Sequence, residues 1–246
     1  MDRMLYVAMS GAKETALAQA RNTHNLANVS TTGFKASLDA FSSRHVTGPV
    51  HETRTYAVTE DQRVDLNPGS LQATGRDLDV AVQDRGWIAV QAPDGSEAYT
   101  RAGDLQIDAF GQVTTGTGLP VLGDGGPIAI PPFETLEIGS DGTISIRPLG
   151  QEANTLARVD RIKLVNPDPA ELIRGDDGLI RHMQGLDQPP DAGVTLVSGM
   201  LESSNVNAVE AMVRMIDLAR HFEMQVKMMK AAEDNDAASA GLLRLS

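Results

Sequence analysis

The 246-residue chain contains no cysteine. This excludes disulfides, thiolate metal sites and a cysteine nucleophile. It leaves the compartment open. Aromatic residues make up only 4% of the chain, so a core must be built from aliphatic side chains. An aromatic-lined sugar groove has little to draw on. No apolar run approaches the roughly 18 residues that a membrane span needs, so no membrane insertion is expected. No cleavable secretory signal is visible, because the first apolar stretch is short, interrupted and flanked by Asp2 and Glu14. If the protein leaves the cytoplasm, it uses a route that reads no such signal. Basic residues are outnumbered, 21 against 33 acidic ones, for a net charge of −12. Residues 1–40 carry +1 and residues 202–246 carry −2, which leaves −11 for the middle. An acidic middle repels phosphate, so nucleic acid is not expected as a partner.

Recognisable chemistry is also scarce. The five histidines are His24, His45, His51, His182 and His221, and none has the i, i+4 spacing of a helical zinc site. There is no nucleophile elbow, phosphate-binding loop or dinucleotide fingerprint. Gly123-Asp124-Gly125-Gly126 lacks the lysine and the following helix of a P-loop, and reads as a hairpin turn. Asp94, Asp124, Asp141, Asp176 and Asp177 each sit in a glycine-containing turn. None belongs to the ligand ladder of an EF-hand, so turn formation is the expected role. No pair of carboxylates stands out for glycoside hydrolysis. No catalytic, cofactor-binding or metal site is assigned, and no cofactor.

What the chain does contain is glycine and proline, 35 residues together, and two patterns of periodicity. From Leu71 to Ser203 the signals are those of strands and turns. Leu78–Val82, Leu105–Asp108, Thr143–Ile146 and Val159–Val165 alternate, and Trp87–Val90 is a short apolar run. Asp94-Gly95, Gly123–Gly126, Asp141-Gly142 and Asp177-Gly178 are hairpin signals, because their turn positions tolerate positive φ. The two ends read as helices. Residues 3–28 form the first, broken by Asn28-Val29-Ser30-Thr31-Thr32-Gly33. The second begins near Asn205 or Asn207, with Asn207 and Glu210 as a capping box. It runs to about Glu233, where Asp234-Asn235-Asp236 weakens it.

The predicted organisation is therefore α+β, mainly β, with a central all-β domain flanked by terminal helices that pair as a coiled-coil-like layer. Residues 1–35 hold the first helix and its exit, and 36–70 an extended connector with turns at Gly48-Pro49 and Asn67-Pro68-Gly69. Residues 71–203 form the β domain and 204–246 the second helix. On the first helix Leu5, Met9, Ala12, Ala16 and Leu26 share one heptad ladder, with Gln19 and Thr23 on its polar rungs. On the second the ladder is Met212, Met215, Ala219, Phe222, Val226 and Met229. Heptad spacing asks for a helical partner along the whole seam. Two amphipathic helices packed on an ordinary core would show the same stripe.

Three stretches carry a resemblance. The first is Asn25-Leu26-Ala27-Asn28-Val29-Ser30-Thr31-Thr32-Gly33-Phe34-Lys35, after a helix with Ser10-Gly11 near its start. The second covers Leu78–Val82 through Trp87, then Tyr99-Thr100-Arg101-Ala102-Gly103-Asp104 and Pro120–Gly123. The third is Gly199-Met200-Leu201-Glu202-Ser203-Ser204-Asn205-Val206, followed by Glu210, Met212, Ile216 and Arg220-His221-Phe222-Glu223. In order and in kind they resemble the bacterial flagellar rod and hook proteins. The opening Met4–Gly11 most resembles the proximal rod members. Trp87 stands where the family commonly has Phe, and residues 36–70 match weakly.

The resemblance implies a structural subunit of the basal-body rod, the shaft that crosses the periplasm and transmits torque. It implies export through the flagellar type III apparatus without a cleaved signal peptide, and other proximal and distal rod subunits as partners. The implied assembly interface comprises Leu5, Met9, Ala12, Ala16, Asn25, Leu26, Asn28, Gly33, Phe34, Asn205, Val206, Met212, Met215, Ala219, Phe222, Val226 and Met229. A distal rod member is the nearest alternative. A secreted β-domain enzyme or carbohydrate-binding module is a remote one.

Overall fold

Two long helices and a set of short antiparallel strands make up the computed structural model, which describes residues 2–38, 41–45, 55–59, 63–150, 156–175 and 177–243. Helix α1 spans Asp2–Ala27 and helix α2 spans Ala208–Leu243. The chain divides into two units. The first comprises Met1–Asn28, Ser37–Arg63 and Val206–Ser246, and the second Val29–Ala36 and Val64–Asn205.

In the first unit, α1 and α2 pack against each other. They run antiparallel: the Asn22 side chain donates to Ala211 O at 2.7 Å, while Gly11 lies beside Gln225. The start of α2 is capped by Asn207, whose Oδ1 accepts from Val209 N at 3.0 Å and Glu210 N at 3.2 Å. That satisfies two of the four donors left open at a helix N-terminus. The helix does not stop near Glu233. It continues through Asp234-Asn235-Asp236 to Leu243, nearly three more turns. The reason is local composition, since Ala231, Ala232, Ala237, Ala238 and Ala240 have the highest helix propensity, and Ala232 is buried. Within the expected connector, Phe41–His45 and Thr55–Thr59 form an antiparallel ribbon, and the second of these strands packs on α1. The Gly48-Pro49 turn lies outside the described residues.

The second unit is a stack of small antiparallel sheets. The largest has five strands, in the order Leu164–Val165, Trp87–Gln91, Glu97–Thr100, Ile180–His182 and Leu172–Arg174. A three-stranded meander joins Phe133–Ile138, Thr143–Pro148 and Ala157–Arg161. Shorter ribbons pair Val80–Gln83 with Thr195–Ser198, and Leu71–Ala73 with Met200–Glu202. Hairpins occur at Asp94-Gly95, Asp141-Gly142 and Gly178, and each glycine there has φ between 82° and 85°. Aliphatic side chains fill the main core, among them Val80, Ile88, Leu105, Val121, Ile144 and Leu164. A smaller cluster gathers Trp87, Tyr99, Val165 and Ile180. Gly103 allows two segments to touch here, because a Cβ on it would meet Val80 O at 1.7 Å.

Candidate assembly surfaces

In the first unit, the α1 side of the helix-pair seam is made of small side chains. On α1, Ala8, Ala12, Ala18, Asn22 and Asn25 are buried. At 100° per residue they fall within an arc of about 140°. On α2 the inward ladder is Ala211, Met215, Leu218, Phe222, Gln225, Met229 and Ala232, and all but Phe222 are buried or half-buried. The seam inside the chain thus differs from the ladders read from hydrophobicity. On α2, Met215, Phe222 and Met229 belong to both ladders. Inside the chain Ala211, Leu218 and Gln225 stand inward beside Met212, Ala219 and Val226 of the hydrophobic ladder, of which Ala219 is half-buried and the other two are exposed. On α1 only Ala12 is a buried member of the expected ladder. Leu26 is half-buried, and Leu5, Met9 and Ala16 are exposed. The physical reason is complementary size. Ala8, Gly11, Ala12 and Ala18 on α1 leave room for Met215, Leu218, Gln225 and Met229 of α2, and the larger side chains of α1 turn outward.

Those larger side chains form a second face on each helix. Val209, Met212, Val213 and Ile216 lie opposite the α2 seam, with Val209 71% and Ile216 54% exposed. Tyr6, Met9 and Leu17 lie opposite the α1 seam and are exposed as well. A helix that is apolar on two opposite sides is not satisfied by one partner.

In the second unit, the N-terminal and C-terminal signature stretches meet. Gly33 (φ 66°) donates its N–H to Glu202 O at 2.8 Å. A Cβ on Gly33 would sit 2.2 Å from the Arg101 carbonyl carbon, so both the conformation and the space demand glycine. Lys35 Nζ, almost fully buried, donates to Glu202 Oε1 at 2.5 Å and to Asn67 O at 2.8 Å. Arg101 donates to Glu202 Oε2 at 3.0 Å and lies over the Trp87 ring at 5.3 Å. Gly69 N–H also donates to Glu202 Oε1. Arg174 stacks over Phe34 at 4.9 Å and donates to Lys35 O. Asn205 Oδ1 accepts from Ala36 N–H at 2.7 Å, and its amide donates to Asp65 O and Asn67 O. Burial holds the Lys35 ammonium below its ordinary value, against the opposing pull of Glu202.

Of the expected residues, Gly33, Phe34 and Asn205 meet at this junction. Val206 is half-buried at the edge of the first unit. Asn25 brackets Ser37 instead, donating to its carbonyl and accepting its N–H, both at 2.9 Å. Asn28 caps α1 through His24 O. Sequence reasoning did not select Lys35, Arg101, Glu202 or Arg174. Three of these stand inside the quoted signatures, and the available signal was a charge of fixed sign among turn and apolar residues.

An open cleft of about 480 Å³ lies elsewhere on the second unit, lined by Glu97, Lys163, Asp124 and Asp187 among others. Its carboxylate at Glu97 is already engaged by Lys163 Nζ at 2.6 Å, Tyr99 OH at 3.1 Å and Gln188 N–H at 3.1 Å. Burial and the Glu97 charge push the Tyr99 hydroxyl well above the ordinary tyrosine value, so it stays protonated and structural. Among the described residues no group of three or more acidic or histidine side chains is arranged to hold a metal ion. No described helix is long and apolar enough to cross a membrane.

Comparison with known proteins places these features in one group. Residues 5–35 match the family model described as flagella basal body rod protein. Residues 81–146 match the flagellar hook protein FlgE/F/G D1 domain. Residues 197–242 match the flagellar basal body rod FlgEFG protein C-terminal model. The flagellar basal-body rod protein FlgF of Escherichia coli (strain K12) is 45% identical over the full length of both chains. FlgF of Caulobacter vibrioides is 32% identical over 93% of each chain. FlgG of Bacillus subtilis (strain 168) is 31% identical over 95% of this chain and 96% of its own. The helix pair, the interlocked signatures and these full-length relatives lead to one conclusion: the chain belongs to the family of flagellar basal-body rod structural proteins.

Proposed function

We propose that this chain is a proximal-rod subunit that joins other rod subunits through the outward faces of α1 and α2. The observation that carries the reading is the apolar face left on α2 after pairing, formed by Val209, Met212, Val213 and Ile216. Exposed contiguous apolar surface marks an interaction site, and a face whose complement lies on a different patch builds open assemblies. The exposed Met9 and Tyr6 on α1 extend the same argument to the other helix. The seam residues then hold each subunit together, while the outward residues hold subunits to one another. The chain has no catalytic role in this reading. It leaves the cytoplasm through the flagellar export apparatus with its N-terminus retained, and works in the periplasmic part of the basal body as a torque-bearing shaft. The relatives FlgF and FlgG support the partner class, other rod subunits.

The test is complementation of a strain that lacks the gene. Ile216→Asp adds a charge to the outward face, and Leu186→Asp adds one to an exposed apolar position of the β unit. The expected outcome is a soluble, helical Ile216→Asp protein that restores no swimming, beside a Leu186→Asp protein that does. Equal swimming by two equally folded variants would remove the outward face from the interface.

A further inference from the structure

Residues 29–36 are separated in sequence from the rest of the β unit, yet they are built into it. We propose that this segment is a strap, keyed by Glu202, that opens and closes on the β unit as a step separate from the unfolding of that unit. Backbone hydrogen bonds from Gly33 N–H, Asn205 N–H and Asp65 N–H cross the edge of the strap, and Ala36 N–H donates to the Asn205 side chain. Lys35 supplies the buried charge, and Arg174 grips Phe34 from outside.

The energetics favour opening at this place. Three ionised groups, Lys35, Glu202 and Arg101, share one buried site with 1–3% of their side-chain surface exposed. Removing charges from water offsets much of the attraction between them. Lifting the strap returns Lys35 to water and leaves Glu202 paired with Arg101 and the Gly69 N–H. The lifted state therefore strands no charge. The aliphatic core around Ile88, Leu105 and Ile144 does not include the strap, so it has no need to open with it. Local openings of this sort occur where few apolar contacts tie a segment down. The open form would expose a slot with a carboxylate at its base and room for a side-chain-free residue. In the closed form that slot holds the chain's own Gly33-Phe34-Lys35.

Hydrogen exchange on the full-length protein tests the proposal. In the native protein the amides of Gly33, Ala36, Asp65 and Asn205 should exchange at least ten-fold faster than those of Ala89, Gln91 and Val113, which bond within the β unit. Glu202→Gln strands two cations and should speed the strap amides a further ten-fold, leaving the second group unchanged. Adding Lys35→Met to Glu202→Gln removes one stranded cation and should slow the strap amides again. Exchange of both groups at one common rate in the native protein would overturn the proposal. So would a Glu202→Gln protein whose strap amides keep the native rate. If Glu202→Gln fails to fold, the native-protein measurement decides alone.

Discussion

At the scale of single residues, carboxylates are used in two opposite ways. Asp94, Asp141 and Asp177 accept hydrogen bonds in turns and from neighbouring side chains, and their carboxyl groups are held below the ordinary range. Asp104 is the reverse. Burial raises it above 3.8, and the facing Asp79 adds to the effect while Arg76 opposes it. Asp79 and Asp104 form a cross-strand bridge pair, a place where like charges are unfavourable. A carboxyl whose folded value is raised costs stability when ionised, and that cost fades as pH falls through the raised value. Asp104→Asn is therefore expected to raise the melting temperature at pH 7. The group is half-exposed, so screening keeps the gain small. About 1–2 °C is expected where 1 kcal/mol is worth roughly 2–4 °C. The difference between the two proteins should close as pH falls towards 3.8. A difference that widened on acidification would reverse the assignment.

At the scale of elements, the helix faces give an opposed pair of expectations for adjacent residues. Gln225 is half-buried against Gly11, with its side-chain amide about 3.0 Å from where a Gly11 Cβ would stand. Val226 is exposed. Gln225→Asp puts a charge at the seam and should cost about 1–3 kcal/mol of helix-pair stability. Val226→Asp should stay within about 0.5 kcal/mol of the parent. Thermal unfolding followed by helix circular dichroism measures both. Equal losses would place Val226 at the seam too. This contrast also shows what was legible in the sequence. Helix existence, the hairpins at Asp94-Gly95 and Asp141-Gly142, and the α+β arrangement all followed from period and turn chemistry. The face used inside the chain did not, because hydrophobic strength favours Met212 and Val226, while the contact between α1 and α2 uses Ala211 and tolerates Gln225. Helix length did not follow either: Asp234-Asn235-Asp236 weaken a helix, but the alanines around them carry α2 on to Leu243. The junction was half legible. Gly33 and Asn205 stood out as turn and cap residues. Lys35 and Glu202 are 167 residues apart, and no local pattern announces that they meet.

At the scale of the molecule, charge and apolar surface work against each other. The chain carries −12, with most of it outside the terminal segments. Copies brought together through their helices must also bring acidic β units into one neighbourhood, and like charges repel over about 10 Å at 0.1 M salt. Self-association of the purified protein should therefore strengthen as sodium chloride rises from about 0.02 to 0.3 M. Sedimentation velocity across that range is the measurement. Association that weakened with salt would mean that the contacts are ion pairs instead of the apolar faces of Val209, Met212, Val213 and Ile216.

The antiparallel pairing of α1 with α2 has a bearing on quality control. The first and last stretches of the polypeptide complete one layer, so a product cut short by a premature stop or by a protease lacks it altogether. Such a fragment has no second helix to cover Ala8, Gly11 and Ala12, and none of the outward residues of α2 to offer a neighbour. It is therefore expected to fail, for geometric reasons, at the first contact with a neighbouring subunit.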